Sequence, residues 1–305
     1  MPLNVQVLTA LEDGPKSLSD LRRAADSPPP TTMRGNLRSL TELGVVERRR
    51  RNKFPGNTDI ALGPAGRDLL PVARAVDEWL ALGPHGSIGL GTLAARSPLK
   101  ALIEAWSHNV VRAIAARPLS LTELDSVITS LSYPSLERRL VAMRDVGLIA
   151  ACAGNGRGTP YAAADWLRRA VAPLAAAAQW ERRHIPEASS SISRLDIEAA
   201  FLLAVPMLTL PSELSGTCRL AVRMLSGGEH DYAGVVVDIR DGVVVSCTSR
   251  LAGRADAVIT GSTRAWLRAV IEREPTLLEH SGDRELRADF VDGLHGAFLR
   301  APQLH

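Results

Sequence analysis

The chemistry that this sequence most clearly offers is the binding of phosphate by arginine. Four consecutive arginines, Arg48 to Arg51, are followed closely by Lys53. A guanidinium group donates paired, charge-assisted hydrogen bonds to phosphate oxygens, so this cluster could hold the backbone of a nucleic acid. An arginine run is more often a solvated surface, and only three of the 36 basic residues are lysines, a bias that GC-rich codons also produce. The secondary structure predicted around the arginines is needed to distinguish a nucleic-acid contact from a solvated surface.

Side chains that would support catalysis or bind a metal are scattered along the chain. The candidate histidines are His184, His230, His280 and His295. None of them forms a His-Glu-x-x-His pair, and no serine occupies a Gly-x-Ser-x-Gly turn. The three cysteines also stand apart, at Cys152, Cys218 and Cys247. This spacing argues against a zinc site and favours a reducing compartment, so we expect no enzyme activity, no metal and no cofactor.

The elements that position the arginine cluster occur twice. The stretch from Gly14 to Val45 returns without a gap, 103 positions later, as Arg117 to Leu148. Each copy starts a helix at a serine, Ser17 or Ser120, that is followed three residues later by an acidic residue. That spacing is typical of a capping box, in which the two side chains bond to free backbone amides. The repetition indicates a duplicated helical module.

The first copy has the order of elements that defines a winged helix. Three helices are predicted, and Met33, Leu37 and Leu40 form the apolar stripe of the third. A strand from Val45 to Arg49, a basic turn and a strand from Thr58 to Leu62 follow. In a winged helix the third helix enters a major groove and the hairpin contacts the DNA backbone. The predicted DNA contacts are therefore Thr31, Thr32, Arg34, Arg38, Arg49, Arg50, Arg51 and Lys53.

Residues from about 3 to 80 resemble the HxlR family of transcription regulators, relatives of the MarR group. The resemblance is carried by the segment LRSLTELGVVERRRR and by the stretch from Gly63 to Leu69, which is similar to the family's Thr-x-x-Gly-Arg-x-Leu helix. HxlR-like proteins generally act as homodimers, so the resemblance implies double-stranded DNA as a partner. It also implies that the helices around 67–79 and 168–180 pack together as the dimer helices of the family do. The chain would then be a monomeric pseudo-dimer or a homodimer.

The second copy keeps the apolar stripe, here Leu136, Leu140 and Met143, and changes the outward residues. Its predicted DNA contacts are Tyr133, Ser135, Arg138, Arg139 and Arg157. The turn from Gly154 to Gly158 has one arginine, where the wing of the first module has four arginines and a lysine. We therefore expect the first module to hold phosphate more strongly. The glycines of this turn precede a strand-like segment and not a helix, which favours a wing over a nucleotide-binding loop.

Beyond residue 195 the pattern changes to strands and helices. Strands are predicted at 218–225, 232–240, 243–250 and 257–261, and helices at 196–205, 263–271 and 284–299, with Asp241-Gly242 as a type I′ turn. This order predicts a β-meander packed with helices. Residues 196–300, and Ala255 to Phe298 in particular, resemble sterol-carrier-protein-like domains, which implies an apolar or lipid-like ligand.

The candidate lining of that ligand site is apolar: Phe201, Leu202, Trp266, Val270, Leu277, Phe290, Leu294 and Phe298. A filled protein core uses the same residue types. For any single one of these residues, a place in the core is the favoured interpretation.

Together these features predict a multi-domain α+β protein. Two tandem winged-helix domains are expected at residues 1–82 and 98–184, followed by an α+β sterol-carrier-like domain at 195–305. The first two segments are net basic and the third is net acidic. Such asymmetry is expected when only one part of a chain meets a polyanion.

The predicted function is bacterial-type transcription regulation by a pseudo-dimer of winged helices, with a C-terminal domain that senses an apolar ligand. Two alternatives stay open: a ligand-binding or scaffolding protein whose winged helices mediate protein contacts, and a lipid carrier or enzyme. The chain has no signal-like start and no apolar run of membrane-spanning length. We therefore expect a cytoplasmic, nucleoid-associated protein without membrane insertion.

Overall fold

The computed structural model describes residues 3–50, 58–153, 158–185, 192–224 and 231–299. The chain divides into two compact units. The first comprises Met1–Leu82, Ser87–Arg96 and Ala176–Ser191, and the second comprises Gly83–Gly86, Ser97–Ala175 and Ile192–His305. Most of the segment expected as a second domain therefore shares one compact unit with the C-terminal segment.

The first unit consists of helices around an antiparallel hairpin. Its helices are α1 (Leu3–Glu12), α2 (Leu18–Ala24), α3 (Pro30–Glu42) and α4 (Pro64–Ala81), and its strands are β1 (Val46–Arg50) and β2 (Thr58–Leu62). The hairpin pairs from Val46↔Leu62 to Arg50↔Thr58. Lys16 extends the hairpin, because its backbone exchanges two hydrogen bonds with that of Ile60.

Local sequence explains where the helices of the first unit begin and end. The hydroxyl of Ser17 accepts a hydrogen bond from the first turn of α2. Pro30 opens α3, where a missing N–H group leaves no bond unmade. Gly44 follows α3 with a φ of 67°. The N–H of Val45 then bonds back to the carbonyl of Leu40 at 2.8 Å, which ends the helix.

The apolar stripe predicted for the third helix is buried. Met33, Leu37 and Leu40 lie in one cluster with Val7 and Leu11 of α1. Complete burial of side chains of this size contributes roughly 1.5–3 kcal/mol each. The stripe therefore holds α3 with its polar face turned to solvent.

The end of a later helix also belongs to the first unit. This helix is α10 (Val171–His184), which enters the first unit at Ala176. Trp180 packs against the apolar cluster, and its indole N–H donates to the carbonyl oxygen of Ala65 at 2.8 Å. Nε2 of His184 lies 2.9 Å from Oδ2 of Asp68. The end of α10 thus packs on the beginning of α4.

The first part of the second unit is again helical with a short hairpin. Its elements are α5 (Arg96–Ser107), α6 (Val110–Ala116), α7 (Leu121–Val127), α8 (Tyr133–Asp145), β3 (Ile149–Ala151), β4 (Tyr161–Ala163) and α9 (Asp165–Arg169). The two strands pair antiparallel, and Leu119 forms an isolated bridge to Tyr161. Leu136, Leu140 and Met143 of α8 are buried, as the apolar pattern predicts.

The remainder of the second unit is a sheet packed with helices. Its strands are β5 (Gly216–Arg223), β6 (Tyr232–Arg240), β7 (Val243–Thr248), β8 (Ala257–Ser262) and β9 (Glu279–Gly282), and its helices are α11 (Arg194–Ala204), α12 (Thr263–Ile271) and α13 (Arg284–Leu299). The sheet order is β7-β6-β5-β8-β9. β5 and β8 run parallel, and the other neighbours run antiparallel.

The prediction of a simple meander is wrong for this sheet. A meander would place β8 beside β7, but β8 pairs with β5 instead. β9, which the sequence pattern did not reveal, adds an outer strand; all four of its residues are exposed, so it carries no apolar alternation. The turn prediction is confirmed, because Asp241 and Gly242 have φ values of 50° and 72°.

Helix α11 joins the helical part of the second unit to its sheet. Glu198, 4% exposed, accepts a hydrogen bond from Nε of Arg112 in α6 at 2.6 Å. The same guanidinium donates to Oγ of Ser249 at 3.2 Å, and the indole N–H of Trp106 donates to Asp196 at 2.7 Å. Since a buried carboxylate is costly without a partner, these contacts favour one position of α6 on α11.

Candidate nucleic-acid interface

Helix α3 turns its predicted DNA contacts to solvent. Thr31, Thr32, Arg34 and Arg38 are all exposed, while the apolar residues between them are buried. Four exposed side chains on one helix face, two of them cationic, suit the hydrogen-bonding edges and phosphates of a DNA groove.

The turn between α2 and α3, which sets the direction of α3, contains two residues with a strained backbone. Asp26 and Ser27 have φ values of 57° and 55°, in the left-handed region that Asp tolerates better than most residues. Ser27 donates its N–H to the carbonyl of Arg22 at 2.7 Å, and Nε of Arg22 donates to the carbonyl of Pro28 at 3.2 Å. The turn is therefore held by Arg22 as well as by its prolines, a role that the sequence analysis missed.

The hairpin is described only in part. Arg48 and Arg49 are exposed, and Arg49 forms an ion pair with Glu47 at 2.6 Å. The side chain of Arg50, together with Arg51 and Lys53, lies outside the described residues. Exposed ion pairs of this kind contribute roughly 0–1 kcal/mol, so Arg49 could exchange Glu47 for a phosphate.

Helix α8 carries a different set of outward residues. Tyr133 is 45% exposed, and Nη2 of Arg138 donates to Oγ of Ser135 at 3.2 Å. Arg139 is half-buried: its Nη1 donates to the carbonyl of Ser135 at 3.1 Å, and its Nη2 lies 3.5 Å from Nε2 of His108. Arg139 therefore bonds to its own helix and to α5–α6, unlike the exposed Arg138. The predicted contact Arg157 falls outside the described residues.

A full capping box orients the helix before α8. Ser120 caps α7, and the carboxylate of Glu123 accepts hydrogen bonds from the backbone N–H and the hydroxyl of Ser120, both at 2.8 Å. These bonds, with a further one from Arg117, lower the pKa of Glu123 to about 2. A carboxylate at the start of a helix also interacts favourably with the helix dipole.

The apolar set predicted to line a ligand site is mostly core. Leu202, Phe290 and Leu294 are at most 1% exposed, and Phe201, Trp266, Val270 and Phe298 are at most 6% exposed. The rings of Phe201 and Trp266 meet edge to face at 5.1 Å, and the indole N–H of Trp266 donates to the carbonyl of Ala221. Leu277 departs from the set, because its side chain is 50% exposed.

Among the cavities that described residues line, three open ones lie in the C-terminal part of the second unit, and none of the eight apolar residues lines these three. The largest, about 640 Å³, includes His280, Arg287 and His295. Partial desolvation and the neighbouring Arg287 lower the pKa of His280, although this residue is exposed. Within the described part of the chain, no group of three or more His, Cys, Asp or Glu side chains could hold a metal ion.

The first unit thus presents an exposed helix face, a helix-stabilising turn and a basic hairpin in the order of a helix-turn-helix protein. Residues 3–83 form an HxlR-like helix-turn-helix domain, since they match the family model of that description. A helix-turn-helix of this description suggests a DNA-binding transcription regulator. The match ends at Gly83, so the rest of the chain has no counterpart in it.

Other comparisons add little beyond the HxlR-like domain. No curated protein matches the chain. Among solved structures, the chain is similar to the sterol carrier protein domain 2 of Helicoverpa armigera, with a TM-score of 0.22 and 15% identity, over 30% of this chain and 74% of that one. A likeness at this level carries no argument about the fold or the ligand. In the described residues, every helix is too short or too polar to cross a membrane.

Proposed function

We propose that this protein regulates transcription by binding an asymmetric DNA site through two winged helices in one chain. In this proposal the HxlR-like domain is the stronger DNA-binding module, and α6 to β4 of the second unit form a second one. The protein is then a cytoplasmic DNA-binding protein and not an enzyme. The exposed cationic face of α3 is the observation that carries this proposal.

The geometry of the two segments supports a common module. Lys16 bridges Ile60 in the first, and Leu119 bridges Tyr161 in the second, so each hairpin gains the same short third strand just before its serine cap. After the third helix, Gly44 and Gly147 have φ values of 67° and 83°.

The bond that ends each third helix is also repeated. It runs from Val45 to Leu40 in the first segment and from Leu148 to Met143 in the second, at 2.8 Å in both. Because Leu40 and Met143 are 103 positions apart, the helix end recurs at the same offset as the sequence repeat.

The contact between α10 and α4 supports the pseudo-dimer. In that interpretation α4 and α10, which carry Trp79 and Trp180 near their ends, pack together within one chain as dimer helices would between two. The bond from Trp180 to Ala65 and the contact of His184 with Asp68 are the expected kind of packing. The apolar ligand of the C-terminal domain stays a prediction, because seven of its eight proposed lining residues pack in the core.

A second function for α7 and α8 is favoured by their exposed apolar side chains. Val127, Tyr133 and Val141 are 57%, 45% and 39% exposed. Exposed apolar side chains on neighbouring elements are typical of protein contacts. In this alternative the HxlR-like domain alone holds DNA, and the second module binds a protein partner.

DNA binding can be tested by fluorescence anisotropy with duplexes selected from a random library. We expect Arg34→Ala with Arg38→Ala to lower the affinity for the selected duplex about tenfold or more, because an arginine that binds a base edge contributes roughly 1–3 kcal/mol. The control is Arg74→Ala, which removes the same charge from α4, where Arg74 pairs with Glu12. Equal affinity of both variants for the selected duplex would contradict the proposal.

The role of the second module is tested by the DNA affinity of Arg138→Ala and by a footprint of the protein on the selected DNA. A second DNA-binding module predicts protection of two half-sites and a loss of affinity in this variant. Protection of one half-site, with unchanged affinity in Arg138→Ala, would instead support the protein-contact alternative.

A further inference from the structure

A polar cavity of about 430 Å³ lies on one face of the five-stranded sheet. Its floor is formed by paired residues of adjacent parallel strands, Arg219 beside Val258 and Ala221 beside Thr260. Its other lining residues are Arg194, Asp231, Tyr232, Ser249 and Leu251. Every one of these residues belongs to the second unit.

The charges of this cavity favour a monoanion. Arg194 forms an ion pair with Asp231, which leaves Arg219 as the excess cation of the lining. Nη2 of Arg219 donates to the carbonyl of Gly253, a neutral acceptor. Among the described residues, Nε of Arg219 is buried and has no hydrogen-bond partner. Because a neutral carbonyl is the acceptor of Nη2, the guanidinium of Arg219 in the cavity lining is expected to gain from an anionic acceptor.

The remaining lining determines the rest of the ligand. Tyr232, Ser249 and Thr260 supply hydroxyl groups, which can donate hydrogen bonds to a carboxylate. Ala221, Leu251 and Val258 supply apolar surface. A volume of this size lies at the small end of sites that bind small molecules. We propose that this cavity binds a small organic monocarboxylate with a short apolar body, and that Arg219 is the residue that holds the carboxylate.

The cavity is in contact with the junction between α6 and α11. Ser249, in its rim, accepts a hydrogen bond from Arg112 of α6, and Arg112 pairs with the buried Glu198 of α11. Arg194, also in the rim, is the first residue of α11. An occupant therefore touches residues that position α6. Any resulting effect on DNA rests on the proposed function, whereas binding of the carboxylate does not.

Isothermal titration calorimetry of the full chain tests binding without DNA. The probes are benzoate and hexanoate, each compared with its uncharged amide. We expect saturable binding of at least one carboxylate, no binding of its amide, and a loss of about tenfold to a hundredfold in affinity in Arg219→Gln, since hydrogen bonds to charged groups are among the stronger ones. The matched control is Arg273→Gln, which removes the same charge from the second unit at a residue that pairs with Asp292 and does not line this cavity.

Three outcomes overturn the proposal: neither carboxylate binds, a carboxylate and its amide bind alike, or Arg219→Gln binds as tightly as Arg273→Gln. Circular dichroism establishes that each variant is folded. Should Arg219→Gln not fold, Thr260→Leu serves in its place, because it narrows the cavity without changing its charge. Retained binding in folded Thr260→Leu then overturns the proposal. Since none of these measurements contains DNA, their failure is distinct from failure of the proposed regulator.

Discussion

Arginine has a different role at each of several positions, and its nearest neighbours determine which. Arg34 and Arg38 are exposed on α3 and suit DNA. Arg112 neutralises a carboxylate that is 4% exposed. Arg219 lies in a cavity wall with one N–H group unpaired among the described residues. The residue type alone did not distinguish these roles, because all depend on contacts between distant segments of chain.

At the scale of single residues, the structure predicts unequal cysteine reactivity. Burial raises the pKa of the Cys218 thiol to about 12, so at pH 8 only about one molecule in ten thousand carries the reactive thiolate there. Cys152 is only partly buried. We expect N-ethylmaleimide to modify Cys152 of the folded protein well before Cys218, as followed by peptide mass spectrometry.

The same labelling in urea is the control, because both thiols are then exposed and should react at similar rates. Labelling of Cys218 in the folded protein as fast as in urea would show that the sheet does not protect it.

At the scale of elements, α2 and α7 both begin at a serine cap and differ in how that cap is completed. Ser17 is partly exposed and receives one bond from the first turn of α2. Ser120 is 4% exposed and forms a full capping box with Glu123. The sequence predicted both caps from the serine-acid spacing. Only the fold shows that the second is buried, since its neighbours come from elsewhere in the chain.

We expect Ser120→Ala to lower the free energy of unfolding more than Ser17→Ala does. Loss of an N-cap costs roughly 0.5–2 kcal/mol, and a buried cap leaves its amides without access to water. Thermal unfolding monitored by circular dichroism measures the difference. Equal destabilisation by the two changes would contradict the assignment of a stronger second cap.

The pH dependence of the second cap has a defined direction. The pKa of Glu123 falls from 4.5 to about 2 on folding. The contribution of Glu123 to the free energy of unfolding is therefore fully present above pH 4.5 and is lost as the pH falls through 2. The difference in the free energy of unfolding between the wild type and Ser120→Ala should therefore become smaller as the pH is lowered from 4.5 to 2.

At the scale of the whole molecule, the division into two compact units predicts two cooperative unfolding transitions. The ion pair between Arg112 and Glu198 lies within the second unit. Arg112→Met leaves Glu198 buried and unpaired, a loss of about 2–3 kcal/mol after allowance for the partial exposure of Arg112. We expect this variant to lower one calorimetric transition by about 5 °C and to leave the other in place.

Two further variants complete this experiment. Leu37→Ala, in the core of the first unit, should lower only the other transition. Adding Glu198→Met to Arg112→Met should restore part of the loss, because it removes the unpaired carboxylate. Equal shifts of both transitions in Arg112→Met would mean that the units unfold together.

The local features of this protein follow from neighbours in the chain. Helix caps, apolar stripes and turn residues act over short distances, so the repeat and the Asp241-Gly242 turn were predicted from spacing, and the HxlR-like module from its resemblance to that family. Tertiary structure decided the rest: the parallel pairing of β5 with β8, the place of the apolar set in the core, the half-buried Arg139, and the cavity around Arg219. Each of these features depends on which distant segments of the chain pack together. The periodicity of apolar side chains predicts which face of a helix or strand is buried, but it does not predict which other element covers that face.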